Sequence, residues 1–323
     1  MMRYSFGSGL SRHIIGLIEQ KRADGFLYHA EESLLKRFDS FCMEFFPDAQ
    51  TVTYELAASW SQARPHESGG YHNRRISILR ILSLYILSIG EDAYIPNFFC
   101  KAYRPVHYIP SKEEVRALLH EMVANPSKNK RTHRMENECQ IMFLLFYCCG
   151  LRLSEARLLR RENADTESGV LKILESKGKK NRLVYLPQDG IAIVSEYKSR
   201  IVSMFPDSPW MFPGISSDKP ISSSGVEQCF LRYWNRLHIE ESSHKRPTPH
   251  CLRHAFVVER FNEWALQGVD TNRMLPYLSK YLGHKNPDET FYYYHLAHKA
   301  FNIVRQKDTV AGRVIPEVVE YEE

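Results

Sequence analysis

Gln140-Ile-Met-Phe-Leu-Leu-Phe-Tyr-Cys-Cys149-Gly150-Leu-Arg152-Leu-Ser-Glu155 is the stretch on which the fold turns. Its first ten residues are apolar on nearly every side, which predicts a helix buried in a core rather than one lying on a surface. Gly150 breaks that helix, and an arginine follows at the edge of the core, where a guanidinium is costly to bury unpaired. Glu155 stands three residues on, so a purely structural i,i+3 ion pair accounts for Arg152 as well as a functional role does.

Upstream, residues 125–134 read as a basic Ser/Asn-rich loop. Before it, Ser111-Lys-Glu-Glu114 matches a capping box ahead of Val115, Leu118, Leu119 and Met122, predicting a helix. The segment 101–110 has two prolines and no helical period and reads as an interdomain linker. The first 106 residues look helical: Leu34, Phe38, Phe41 and Phe45 recur at three- and four-residue spacing, as do Ile76, Leu79, Leu82 and Ile86, with Gly90 placed as a C-cap. Two domains are therefore expected, a helical one over 1–106 and a larger one over 107–323. Downstream, Val170–Leu174 and Leu183–Leu186 alternate as strands around Lys177-Gly-Lys-Lys-Asn181, a hairpin with a basic tip. Helices resume near Gly225 and run to about Gln306. The fold class is mainly α, with a small antiparallel sheet inside the second domain.

Composition narrows the function. Across 323 residues, 43% hydrophobic and 25% charged content excludes disordered and fibrous classes. The apolar run Ile141–Leu151 is far short of the roughly 20 residues of a membrane span, and the N-terminus carries no apolar signal core, so a cytoplasmic address is expected and a membrane partner is not. Seven cysteines without C-x-x-C spacing argue for reduced thiols. A net charge of +5 is too mild to prove nucleic-acid binding, so the placement of charge matters more.

Three further places hold polar groups that folding alone does not require. Five basic residues between Lys172 and Arg182 face only Glu175; a solvated turn explains them, and so does a tip that reaches a phosphate. In Thr248-Pro-His250-Cys-Leu-Arg253-His254, His250 and Arg253 lie one helical turn apart and can address a single anion. His250, Cys251, His254 and His284 lack paired-cysteine spacing, so zinc is not expected. In Tyr281-Leu-Gly283-His284-Lys-Asn286-Pro-Asp-Glu289-Thr-Phe-Tyr292-Tyr293-Tyr294, Gly283 ends a helix. Asn286 is then expected to cap the next one, with Pro287 in the first turn and Glu289 completing a capping box. Three adjacent tyrosines are equally readable as an aromatic packing face.

Taken in order, Gly-Leu-Arg, basic hairpin, His-x-x-Arg, Leu-Gly-His and a tyrosine nine residues later resemble the catalytic domain of the tyrosine recombinases, the family of phage integrases and Xer-type enzymes. The resemblance spans about residues 108–300, with weaker helical similarity over 24–106 to the family's core-binding domain. It implies DNA cleavage and rejoining through a covalent 3′-phosphotyrosine, without a metal or other cofactor. By the same resemblance Arg152 and Arg253 hold the phosphate, helped by a hydrogen bond from His284; His250 is the base, Lys177 the acid and Tyr293 the nucleophile. Tyr292 and Tyr294 are alternatives if the turn differs by a residue. Glu155 is expected to orient Arg152.

The implied partners are double-stranded DNA bearing a specific site, clamped between the two domains, and sister subunits in a tetramer on two sites, with a related recombinase or accessory protein as a further possibility. The implied address is the nucleoid. Candidate phosphate contacts are Arg74, Arg75, Lys128, Lys130, Arg131, Lys179, Lys180 and Arg182. The absence of room for an arm-binding domain before residue 24 leans toward a mobile-element or Xer-type recombinase. A type IB topoisomerase and a catalytically silent DNA-binding regulator are the competing readings.

Overall fold

The computed structural model describes residues 5–101, 107–176, 180–239 and 247–294. The chain forms two compact units, Met1–Arg104 and Pro105–Glu323.

In the first unit, helices α1 (Ser11–Ala23), α2 (His29–Phe45), α3 (Tyr54–Trp60) and α4 (Gly69–Ser88) enclose one core. Ile14 and Leu17, Leu35 and Phe38, Leu56 and Trp60, and Leu79, Leu82 and Ile86 fill it, following the helical spacing seen in the sequence. Phe45 departs from that spacing: at the last residue of α2 it is 59% exposed. Arg75, expected to meet phosphate, is instead fully buried. Its Nε and one terminal nitrogen donate to Glu67 at 2.6 Å, and the other contacts are the carbonyls of Trp60 and Gln62. Glu67 cancels the charge of this guanidinium, and burying it is tolerable because the carboxylate and carbonyls replace water.

The second unit contains α5 (Lys112–Ala124), α6 (Lys130–Cys149), α7 (Leu153–Arg157), β1 (Ala164–Asp165), β2 (Val170–Ser176), β3 (Lys180–Tyr185), α8 (Gln188–Met204), α9 (Ser223–Arg236), α10 (His250–Gln267), α11 (Thr271–Leu282) and α12 (Asp288–Phe291). Helix α6 runs through its core, with Cys139, Met142, Phe143, Leu145, Phe146 and Cys149 nearly inaccessible. It starts well before the apolar run, because the Asn129 side chain accepts the backbone N–H groups of Arg131 and Thr132 at 3.0 and 3.1 Å. The expected loop over 125–134 thus shrinks, and Lys130 and Arg131 lie on the exposed first turn of α6. The capping box at Ser111 forms, with Glu114 answering the Ser111 backbone.

The hairpin is part of a three-stranded antiparallel sheet in the order β1-β2-β3. Leu171 pairs with Val184 and Ile173 with Arg182. Leu171, Ile173 and Val184 are buried while Lys172, Leu174 and Leu183 face out, the alternation of a half-buried sheet. The two-residue strand β1 is too short to leave a period in the sequence. Residues 177–179, which include Lys177 and Lys179, lie outside the described residues, as does the segment beyond 294 with its expected helix to Gln306. Among the described residues no helix is long and apolar enough to cross a membrane.

Two left-handed glycines aim the chain at the same place. Gly150 (φ +63°) ends α6, and Gly283 (φ +66°) ends α11. A Cβ at Gly150 would stand 2.6 Å from the Phe256 ring, so both the backbone conformation and the packing require glycine. The short helix α12 corrects the expected capping box at Asn286. Pro287 is its N-cap and no side chain caps it; the Asn286 carbonyl accepts the Glu289 N–H and the Pro287 carbonyl accepts that of Thr290. Gly150→Ala should lower unfolding free energy by about 1–3 kcal/mol, read as a lower denaturant midpoint at unchanged slope.

Candidate active site

Where α6 stops and α7 begins, Arg152 and Glu155 bracket the first turn of α7. Glu155 Oε2 accepts the Arg152 backbone N–H at 2.9 Å, and Oε1 accepts the Arg152 guanidinium at 2.8 Å. The other terminal nitrogen of Arg152 donates to the Gly283 carbonyl at 3.1 Å. From β3, Arg182 meets the same carboxylate with both prongs, at 2.8 and 2.7 Å, and donates from Nε to the Tyr281 carbonyl at 2.7 Å. Arg253 of α10 comes within 3.9 Å of Glu155. Its terminal nitrogens donate to the Gly150 carbonyl and, at 2.8 Å, to the Leu282 carbonyl. Three guanidiniums from separate elements therefore share one carboxylate, which leaves an excess of positive charge.

Burial and that excess together shift several groups nearby. Burial would raise the Glu155 carboxyl, but the hydrogen bonds and charge of Arg182, then Arg152, overcome it and hold the pKa down at about 2. Burial and the neighbouring Arg152 push Arg253 down to about 9. Burial, then Arg253, Arg152 and Arg182, push His284 down to about 3, so its ring is neutral at pH 7. Arg253 can only donate, so across 3.1 Å His284 Nε2 accepts from it. The one ring N–H then sits on Nδ1 and donates to Thr290 Oγ1 at 2.6 Å. The expected hydrogen bond from His284 to a phosphate oxygen has no N–H to come from in this arrangement: His284 holds Arg253 in place.

Tyr293 is 7% exposed and packs with Phe256, Phe261, Leu278 and Leu282. Burial pushes its phenol up to about 12, against the opposing pull of Arg253 and Arg152. Its hydroxyl is hydrogen-bonded to His254 Nδ1 at 2.6 Å. Tyr292 is 40% exposed, and Tyr294 stacks on Phe291 at 5.7 Å. His250 stands exposed at the start of α10, edge-on to His254 at 4.4 Å.

The structure thus gathers Arg152, Arg253, His284 and Tyr293, with His250 at the rim. Arg182, a candidate phosphate contact, turns inward: its side chain is 8% exposed and both prongs meet Glu155. Lys128, Lys130 and Arg131 are exposed but belong to the far end of α6; its 20 residues at about 1.5 Å each put roughly 28 Å between them and the arginine cluster. Arg74, in the first unit, is half-exposed and 3.5 Å from Glu31. The side chain of Lys180 lies outside the described residues. Sequence reasoning weighed His254 only as a zinc ligand, which it rejected, and gave Thr290 no role. The i,i+4 spacing of His250 and His254 was a signal for the first, since it puts both on one helical face; nothing local marked Thr290. Among the described residues no cluster of three or more His, Cys, Asp or Glu is set to hold a metal.

Comparison with known proteins adds the following. The model of the phage integrase family matches residues 111–300. The protein y4rB of Sinorhizobium fredii (strain NBRC 101917 / NGR234), an integrase/recombinase by name, is 26% identical over 283 residues, covering 85% of this chain and 89% of its own. Tyrosine recombinase XerC of Lactobacillus leichmannii is 29% identical over 157 residues, 47% of this chain and 48% of its own, so the match spans about half of that relative. Among solved structures, the XerH site-specific recombinase bound to palindromic difH substrate in a post-cleavage complex shares the fold with a TM-score of 0.63 at 18% identity, covering 85% of this chain and 78% of that one.

Because the Glu155 carboxyl titrates lower in the folded chain than its ordinary value of 4.5, its contribution is complete above that value and is lost as pH falls toward about 2. Glu155→Gln should remove roughly 3 kcal/mol of stability at pH 7 and flatten the acid limb of the stability profile between pH 4.5 and 2, measured by urea unfolding across that range.

Proposed function

The chain belongs to the phage integrase family of tyrosine recombinases, DNA strand-exchange enzymes, and we propose that it cuts and rejoins DNA at a specific site through Tyr293. The observation that carries this reading is the convergence of Arg152 and Arg253 on the Gly150–Glu155 turn, with the Tyr293 phenol close enough to feel both guanidiniums.

A phosphodiester is shielded by its own charge, and in-line attack drives more charge onto the non-bridging oxygens. Two planar forks fixed in advance stabilise that charge most in the transition state, because no reorganisation is needed at the moment of reaction. Arg152 is the fork with access to solvent and Arg253 the deeply held one. The phenol is a poor nucleophile while protonated, so its proton must leave as Oη meets phosphorus. The leaving 5′ oxygen takes a proton from a general acid, the role carried by Lys177 in this scheme. The phosphotyrosine ester keeps the bond energy, so an incoming 5′ hydroxyl reseals the strand without ATP. The guanidiniums and the lysine provide the positive charge, and the scheme contains no metal step.

Duplex DNA is the partner this chemistry requires. The XerH structure is of a recombinase bound to its difH substrate, and a Tn1549 transposon integrase structure with right-end DNA has the same fold, with a TM-score of 0.62 at 17% identity over 91% of this chain and 98% of that one. The domains 1–106 and 107–323 would both bind the duplex, with exposed Arg74, Lys128, Lys130 and Arg131 and the hairpin Lys179 and Lys180 as backbone contacts. A tetramer on two sites completes the proposal, serving a mobile element or Xer-type resolution.

Nicked duplexes drawn from the DNA flanking the coding sequence should trap an SDS-stable protein–DNA adduct. Tyr293→Phe should abolish the adduct while retaining binding; adduct from that variant would shift the role to Tyr292 or Tyr294. Arg152→Ala should cost about 2–4 kcal/mol in cleavage rate, as deletion of an oxyanion donor does. Affinity should fall steeply between 50 and 200 mM salt (about 10³-fold if six phosphates are contacted), and a flat response in a filter-binding titration would refute backbone binding by these cations.

A further inference from the structure

We propose that His254, and not the exposed His250, is the base that accepts the phenolic proton of Tyr293 as it attacks DNA. This rests on the reading of Tyr293 as nucleophile.

Three observations point the same way. His254 Nδ1 lies 2.6 Å from Tyr293 Oη, within the range in which a proton is handed over directly. Both groups are buried, at 4% and 7% exposure, so water does not compete for the contact. The contact is also held by the element that carries the phosphate clamp. Arg253 and His254 are consecutive on α10, and successive helical residues diverge by about 100°. Arg253 therefore turns toward Gly150, Leu282 and His284, while His254 turns toward Tyr293. One rigid helix thus sets the charge-stabilising fork and the proton acceptor in a fixed relation. His250 sits a full turn earlier on the same face, exposed, with its ring edge-on to His254.

The surroundings are well defined. The His107 ring stacks on His254 at 4.6 Å from the segment before α5, and the His250 ring stands edge-on at 4.4 Å. Arg253 of α10, Arg152 at the N-cap of α7, Tyr292 and Glu289 also act on the Tyr293 phenol.

In the step itself the Oη–H bond breaks and an Nδ1–H bond forms, leaving His254 as imidazolium. The Oη–P bond forms, the P–O5′ bond breaks, and O5′ takes a proton from the general acid. On rejoining, the incoming 5′ hydroxyl returns its proton to that acid, attacks phosphorus and expels Oη, which recovers its proton from His254.

The test uses the full chain and the nicked duplex that traps the wild-type protein, so failure of the wild type to form adduct would sink the recombinase reading itself. Given wild-type adduct, His254→Gln should slow single-turnover adduct formation about 100-fold at pH 7. The deficit should shrink as pH rises, because the phenolate fraction increases tenfold per unit and replaces the missing base. A base-free His254→Gly variant should be rescued by added imidazole. A merely structural His254 predicts a deficit equal at all pH values and no rescue, and either result overturns the proposal, as does a His254→Gln rate within threefold of wild type. Should these variants not fold, ¹⁵N-histidine spectra of the wild-type chain at pH 8 decide the point: an unprotonated, acceptor-type Nδ1 on His254 is expected, and a protonated Nδ1 overturns it.

Discussion

The Glu155 carboxylate is the contact on which the second unit's polar interior depends. It accepts from Arg152 and Arg182 and lies near Arg253, so it is the point where α7, β3 and α10 are electrically joined. Without it, three cations would face one another at low dielectric, and the turn after α6 would have no reason to close. With it, the guanidiniums are ordered and still collectively positive. A site meant to receive a phosphate needs that combination, since full neutralisation would leave no attraction for the substrate and no neutralisation would leave no fixed geometry.

The charge arrangement also explains the behaviour of the neighbouring imidazole. His284 is held neutral by burial and by the arginines around it, and a neutral ring with an accepting nitrogen serves Arg253 as a backstop. Thr290 fixes the ring from the other side, so the Leu-Gly-His turn and the short helix α12 are locked together and Tyr293 follows from that lock three residues on. The position of Tyr293 thus follows from this lock onto the arginine network more than from the one-turn helix that precedes it.

The first unit repeats the same device for a different end. Arg75 is sealed by Glu67, whose carboxyl is held at about 2 chiefly by its hydrogen bond to that arginine, and by carbonyls of the preceding loop. There the charges cancel and nothing is left over for a ligand; the pair fastens the α3–α4 connection onto α4. Arginine clusters look alike in sequence, and only the balance of carboxylates around them separates a fastening from a binding site.

The sequence alone determined the helical character of both units, the buried run of α6, the hairpin, and the motif order that places Arg152, His250, Arg253, His284 and Tyr293 in one family pattern. Those features are legible because periodicity, glycine breaks and capping residues act within a few positions of one another. What tertiary structure decided was the direction in which each charge points: Arg75 and Arg182 inward, Lys130 and Arg131 at the far end of α6, His284 toward Arg253, and His254 onto the phenol. The outcomes for Arg182, His284 and His254 rest on partners 27, 31 and 39 residues away, Glu155, Arg253 and Tyr293. No local pattern encodes such a partner, because the energy of a buried ion pair or hydrogen bond depends on what the fold brings alongside it.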